Sequence, residues 1–150
     1  MTTDTTTQLT PTERLFDAAA TGDIGAIRAA VADGADPQAD RACAGWSRST
    51  AVSTAAREGH LNAVSYLVSL GARLDASALW ACYYARGLAR RAPTRPAQLE
   101  CALYLYAANA PTASTGFGTL DGRWLRALER LAARRAKADR ATTQAVNKPS

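Results

Sequence analysis

The sequence predicts an all-α fold for this 150-residue chain: about three helix-turn-helix units stacked side by side and closed by a C-terminal helix. Three observations lead there. A segment recurs at a fixed shift, apolar positions within each copy follow the helical period, and a helix-stopping residue falls at the same place in every copy. Alanine dominates the apolar residues and aromatics make up 7%, which suits helices approaching through small side chains better than a sheet of β-branched ones.

Residues 1–9 are polar and Thr-rich, so they are expected to form a disordered tail, and they lack the apolar stretch of a secretory signal. The domain is expected to span 10–138. Its first helix starts at Thr10-Pro11-Thr12-Glu13, which matches a capping box: Thr at the N-cap, Pro at the first helical position and Glu three residues on. Ala18-Ala19-Ala20-Thr21-Gly22-Asp23-Ile24 is echoed by Ala55-Ala56-Arg57-Glu58-Gly59-His60-Leu61 at a shift of 37. At the same shift, Ile24, Ala26, Ile27 and Val31 lead to Gly34-Ala35, as Leu61, Ala63, Val64 and Val68 lead to Gly71-Ala72. Each unit therefore reads as an inner helix ending near Gly22 or Gly59, a tight turn, and an outer helix ending at Gly34 or Gly71. In a third copy, Leu99, Ala102, Leu103, Leu105 and Tyr106 lead to Asn109-Ala110-Pro111, with Asn109 in the glycine position because Asn is the next best residue in the left-handed conformation after a helix. Beyond the Gly-rich loop Ser114 to Gly122, Trp124, Leu125, Leu128, Leu131 and Ala132 form an apolar helix face, with Arg126, Glu129, Arg130 and Arg134 opposite. This is the closing helix, and 139–150 is expected to be a second disordered tail.

The repeat resembles the ankyrin family, whose consensus runs Thr-Pro-Leu-His-Leu-Ala-Ala-x-x-Gly-His-Leu and closes on a Gly-Ala-(Asn/Asp)-Pro-like turn. Thr50-Ala51-Val52-Ser53-Thr54-Ala55-Ala56-Arg57-Glu58-Gly59-His60-Leu61 is the nearest copy. Leu15 to Asp23 with Gly34-Ala35-Asp36-Pro37 form a weaker first copy, and Ser77-Ala78-Leu79-Trp80-Ala81-Cys82 a degenerate third inner helix, so the resemblance covers roughly residues 12 to 111. It implies an ankyrin-like solenoid capped by the last helix. Two departures place the end of regular stacking in the third unit: Tyr83 stands where the family has a small Ala, and an Arg-rich connection runs from Arg86 to Pro96.

The net charge of +5 is uneven: residues 1–75 carry 9 acids and 6 bases, residues 76–150 carry 4 acids and 12 bases. Such polarity steers acidic partners or polyanions toward the C-terminal half. Cys43, Cys82 and Cys101 are odd in number, far apart and without a CxxC pair. They suggest reduced thiols in a cytoplasmic protein rather than a disulfide framework or a zinc site. No apolar run, Cys101 to Ala108 included, approaches the ~18 residues of a membrane span, so no membrane partner is expected.

No motif carries catalysis, metal or cofactor chemistry. Gly45-Trp46-Ser47-Arg48-Ser49 approaches the GxSxG nucleophile elbow but lacks the last glycine and any expected preceding strand. His60, the single histidine, sits at the family's turn position, where its ring is expected to hydrogen-bond neighbouring backbone. Asp33, Asp36 and Asp40 lack the ligand spacing and final Glu of a calcium loop, and Gly116-Phe117-Gly118 lacks the Gly-Lys-Ser/Thr ending of a phosphate loop.

Ankyrin-like stacks hold partners on the concave side, formed by hairpin tips and the exposed face of the inner helices. The resemblance carries that role to Arg57 and Glu58, in the two variable slots before the turn, and to Tyr84 with Ala85 in the third copy. Ala20 and Thr21 fill the same slots in the first copy. Trp46 and Arg48 lie in the loop before the second inner helix, and Trp80 occupies the consensus His slot of the third. Trp, Tyr and Arg are the residue types that dominate binding hot spots. The expected function is non-enzymatic: an adaptor or stoichiometric inhibitor gripping another protein, with the Ala/Arg-rich, Lys-poor usage suggesting a high-GC bacterium or its phage. The alternative is an Arg-mediated nucleic-acid binder using Arg86, Arg90, Arg91 and Arg95 together with Arg123 to Arg140. An enzyme is the remaining alternative, disfavoured because no acid-base or nucleophile constellation is present.

Overall fold

The computed structural model describes residues 9–43, 46–85, 96–108, 110–114 and 118–149. In chain order the elements are α1 (Pro11–Thr21), α2 (Ile24–Ala32), β1 (Asp40–Cys43), β2 (Trp46–Thr50), α3 (Ala51–Glu58), α4 (Leu61–Ser69), α5 (Ala76–Ala85), α6 (Pro96–Ala107), β3 (Ala113–Ser114), β4 (Gly118–Thr119) and α7 (Gly122–Val146). The molecule is predominantly helical, as its composition and periodicity require.

Local chemistry sets the helix ends. At the start of α1, the Glu13 amide donates to Thr10 Oγ1 (3.2 Å) and the Thr10 amide donates to Glu13 Oε2 (2.7 Å), completing the capping box. The α3 start repeats this device with Ser53 in the Glu position: the Ser53 amide donates to Thr50 Oγ1 (3.1 Å) and the Thr50 amide to Ser53 Oγ (2.9 Å). Helices α1 and α3 each stop on a left-handed glycine, Gly22 at φ 75° and Gly59 at φ 85°. The outer helices close alike. Ala35 donates to the Ala30 carbonyl (2.9 Å), Ala72 to Leu67 (3.0 Å) and Ala110 to Leu105 (2.9 Å), so the third copy ends with the same backbone bond as the first two. Asn109, expected to take the glycine role there, lies outside the described residues.

The helices pack in two rows. Inner helices α1, α3 and α5 lie in succession, outer helices α2, α4 and α6 do likewise, and α7 covers α6. Leu15, Phe16, Ile27, Val52, Val64, Leu67, Leu79, Leu105 and Leu128 fill the core, and Ala19, Ala55 and Ala56 let the inner helices approach closely. Tyr83 takes the slot of Ala19 and Ala56 in the third unit, and its ring meets Trp124 of α7 edge-on at 5.4 Å. The bulky residue thus marks where the inner row ends and the closing helix takes over.

Two features depart from expectation. Short antiparallel hairpins interrupt the helices. β1 pairs with β2 in the register Asp40↔Thr50, Arg41↔Ser49 and Cys43↔Trp46, and β3 pairs with β4 inside the Gly-rich loop. These ribbons are too short to show a period-2 pattern, and contacts to the rest of the fold hold the first: the Arg41 guanidinium lies 4.7 Å from the Phe16 ring centroid, while β2 packs on α3 and α5. The second departure is that α7 stays helical through Val146 instead of giving way to a tail at 139. Only Trp124 and Leu128 are buried on it, and every described residue from Ala133 on is exposed. Ala, Arg and Lys favour helix without burial, so the end of the apolar face marks where packing stops and not where the helix stops. Residues 1–8 of the expected N-terminal tail lie outside the described residues.

Candidate functional site

The inner helices carry the variable slots at their C-terminal ends, just before the turns that follow α1 and α3 and at the end of α5. Thr21, Arg57, Glu58 and Tyr84 are all exposed there, with Ala20 half-buried beside them. Arg57 and Glu58 pair with each other at 3.1 Å, both side chains 44% exposed, so the pair presents a solvated dipole and contributes little to stability.

Tyr84 is 42% exposed, and its ring stacks on Trp80 with centroids 5.0 Å apart and planes 17° from parallel. Tyr83 meets both rings edge-on, at 5.8 Å from Trp80 and 5.4 Å from Tyr84. An aromatic side chain is therefore held in one orientation at the surface by aromatic neighbours beneath it, which lowers the entropy lost when a partner covers it.

Trp80 is not a contact residue of this face, because it is only 5% exposed. The reason is positional. Phe16 and Ser53 occupy the same slot in the first two units and are also buried, so that position points into the packing in all three. Trp80 supports Tyr84 from below. Phe16 was the sequence signal for this burial.

Arg48 lies on β2 with its side chain 70% exposed and paired to Asp40 of β1 at 2.5 Å. Trp46 opens β2 opposite Cys43, and its side chain lies outside the described residues. Arg86, Arg90, Arg91 and Arg95 also lie outside them. The structure therefore brings Arg57, Glu58 and Tyr84 onto neighbouring inner helices, with Arg48 on the ribbon that packs against those helices.

His60 holds one unit to the next. Its Nε2 lies 3.0 Å from the Ala20 carbonyl, which can only accept, so Nε2 carries the proton. Gly22 makes room: a Cβ there would meet His60 Cγ and Nδ1 at 2.7 Å. Gln98 repeats the device one unit later, a feature that sequence reasoning missed. Its Nε2 donates to the Arg57 carbonyl at 3.1 Å, two residues before Gly59 as Ala20 is two before Gly22, and a Cβ on Gly59 would meet Ala97 Cβ at 2.8 Å. Gln98 stands 38 residues after His60, the shift that also relates Leu99 to Leu61 and Asn109 to Gly71, so the register held the equivalence and only the change of residue type hid it.

The other groups weighed for chemistry are structurally engaged. Asp33 binds Arg14 (2.8 Å), Asp36 Oδ1 accepts from the Gln38 amide (2.9 Å), and Asp40 binds Arg48, so the three carboxylates do not converge. A strand, β1, does precede Gly45, contrary to expectation, yet Ser47 falls inside β2 and not at a strand-to-helix turn as a nucleophile elbow requires. Burial raises the Cys82 pKa, reinforced by Cys101, and its thiol faces the Ala56 carbonyl at 3.8 Å. Burial, then the neighbouring Glu100 carboxylate, pushes Cys101 up to about 11. Both thiols stay protonated and weakly nucleophilic near neutral pH.

No helix among the described residues is long and apolar enough to cross a membrane. No protein-family model and no curated protein matches the chain.

Proposed function

We propose that this chain is a short ankyrin-like repeat protein that binds a partner protein through the face made by the β1–β2 ribbon and the turn-proximal ends of the inner helices. The observation that carries this reading is Tyr84, exposed yet fixed on buried Trp80, beside the solvated Arg57–Glu58 pair on the adjacent helix. A rigid aromatic flanked by charged side chains is the arrangement of an interface hot spot with a polar rim. The repeated backbone clamps from His60 and Gln98 support it, because they make consecutive units rigid and keep such a face pre-organised. Binding without catalysis suits an adaptor or a stoichiometric inhibitor in the cytoplasm, and the Arg-rich, Lys-poor usage suits a bacterial or phage source.

The test is affinity capture from nuclease-treated lysate followed by titration of the captured protein against wild type, Tyr84→Ala, Arg57→Ala and Trp46→Ala. An outer-helix variant, Arg28→Ala, serves as control. Tyr84→Ala is expected to weaken binding by roughly 30-fold, the effect of a hot spot of about 2 kcal/mol, while the control binds normally. Equal affinity for wild type and the three inner-face variants, all correctly folded, overturns the reading.

A further inference from the structure

The closing helix carries a charge pattern that packing does not explain. At 100° per residue, Arg123, Arg126, Arg130, Arg134, Lys137 and Arg140 fall within a sector of roughly 120° on α7, extending over roughly 25 Å of its axis. All six are exposed. No acid lies in that sector: Glu129 sits at its flank and accepts from the Tyr106 hydroxyl (3.2 Å), and Asp139 lies on the opposite side. None of the six forms an ion pair among the described residues, whereas Arg135, on the packed side, binds Glu100 of α6 at 2.5 Å. From Ala133 to Val146 every residue of the helix is exposed, and the Arg135–Glu100 pair ties the start of that segment to α6.

We infer that this basic face of α7 binds the phosphates of duplex DNA, at a site separate from the inner-helix face proposed above. Six like charges held along one line neutralise poorly against separate small anions but match a linear polyanion, and five of the six are guanidiniums, which grip phosphate oxygens bidentately. An acidic protein fits less well. Protein interfaces are anchored by buried aromatic or aliphatic residues, and only Gly, Ala and Gln stand between the cations in this sector, at Gly122, Ala133, Ala141 and Gln144. A membrane surface fits less well too, since the side of this exposed segment opposite the cations carries Arg135, Asp139, Thr142 and Thr143 with Val146 as its one large apolar residue, in place of a bulky apolar face. The form of the polyanion follows from the helix. A bare α-helix roughly 10–12 Å across enters the ~12 Å major groove of B-form DNA but not the narrow major groove of A-form RNA. Most of the sector is guanidinium and ammonium groups separated by Gly and Ala, with Gln144 the one amide, so the contact is expected to read chiefly the phosphate backbone.

Fluorescence anisotropy of the full chain with a labelled 20-base-pair mixed-sequence DNA duplex, from 50 to 200 mM NaCl, tests this. If four of the six cations engage phosphates, log K falls with log salt at a slope of about −3.6, so affinity drops about 150-fold over that range. Replacing Arg126, Arg130, Arg134, Lys137 and Arg140 together by Gln, which keeps helix propensity, should flatten the slope and abolish binding at 50 mM with unchanged helix content by circular dichroism. An unlabelled RNA duplex of the same length should compete at least tenfold less well. The inference is overturned if wild type fails to bind at 50 mM or if the α7 variant binds as wild type does. It is equally overturned if only an Arg86, Arg90, Arg91 and Arg95→Gln variant loses binding, or if RNA or a poly-glutamate peptide of matched charge competes as well as DNA does.

Discussion

Gly22 stands at the junction of two separate constraints, and replacing it by alanine measures both. The first is intrinsic: Gly22 has φ 75°, a left-handed conformation that disfavours any residue with a Cβ by about 1–2 kcal/mol. The second is tertiary: the new Cβ would lie 2.7 Å from His60 Cγ and Nδ1, so the ring must move and its bond to the Ala20 carbonyl is lost, adding about 1 kcal/mol for the hydrogen bond and more for disturbed packing. Gly71 isolates the first constraint, since it has a similar φ of 83° and a Cβ added there would meet no atom within 4 Å. Urea unfolding followed by circular dichroism should therefore show Gly22→Ala destabilised by about 2–4 kcal/mol and Gly71→Ala by about 1–2 kcal/mol. In a His60→Ala background the excess at Gly22 should vanish, which a double-mutant cycle reads as coupling. Equal losses at Gly22 and Gly71, or additive effects of Gly22→Ala and His60→Ala, would refute the clamp.

The equivalent clamp at Gln98 predicts that Gln98→Ala lowers stability by about 1 kcal/mol through the unpaired Arg57 carbonyl. Gln98→Glu should be worse at neutral pH, because a buried carboxylate would face that carbonyl without a proton to donate, and it should recover on acidification as the carboxyl becomes protonated; identical urea midpoints for the two variants across pH 4–8 would contradict this. For the thiols, Cys82 and Cys101 should resist a disulfide reagent in the folded chain at pH 8 and react once it is unfolded. Their raised native pKa values make stability constant below the ordinary thiol value near 9.0 and declining above it, toward about 11 for Cys101, a trend that Cys101→Ala should reduce in an alkaline denaturation series.

Much of the helical layout was legible because its signals are short-range. Thr10-Pro11-Thr12-Glu13 announced the start of α1, and Gly22, Gly34, Gly59 and Gly71 announced four stops; each acts on backbone groups within five residues of itself. The candidate face was legible only as slots in a repeat. Arg57, Glu58 and Tyr84 are exposed where the repeat put them, whereas Trp80 is covered, since a single residue's type does not say whether a helix face is inside or outside. Comparison across units carried one hint, the apolar Phe16 in the same slot, while the burial of Ser53 there is visible only in the fold.

By itself, the sequence determined the predominantly helical character of this protein, its helix starts and stops and its uneven charge, because capping, left-handed glycines and helical periodicity are properties of neighbouring residues. Tertiary structure decided the rest. It placed the β1–β2 ribbon against Phe16 and α3, turned Trp80 into the support of Tyr84, and set His60 and Gln98 on carbonyls 40 and 41 residues away in sequence. It also left the second half of α7 with no buried residue and only the Arg135–Glu100 pair to α6, exposing a line of cations whose common direction follows from the helical twist once the opposite side of its first turns is buried. Those arrangements depend on which surfaces meet, and contacts between distant residues have no signature at the spacing of a few residues on which sequence patterns act.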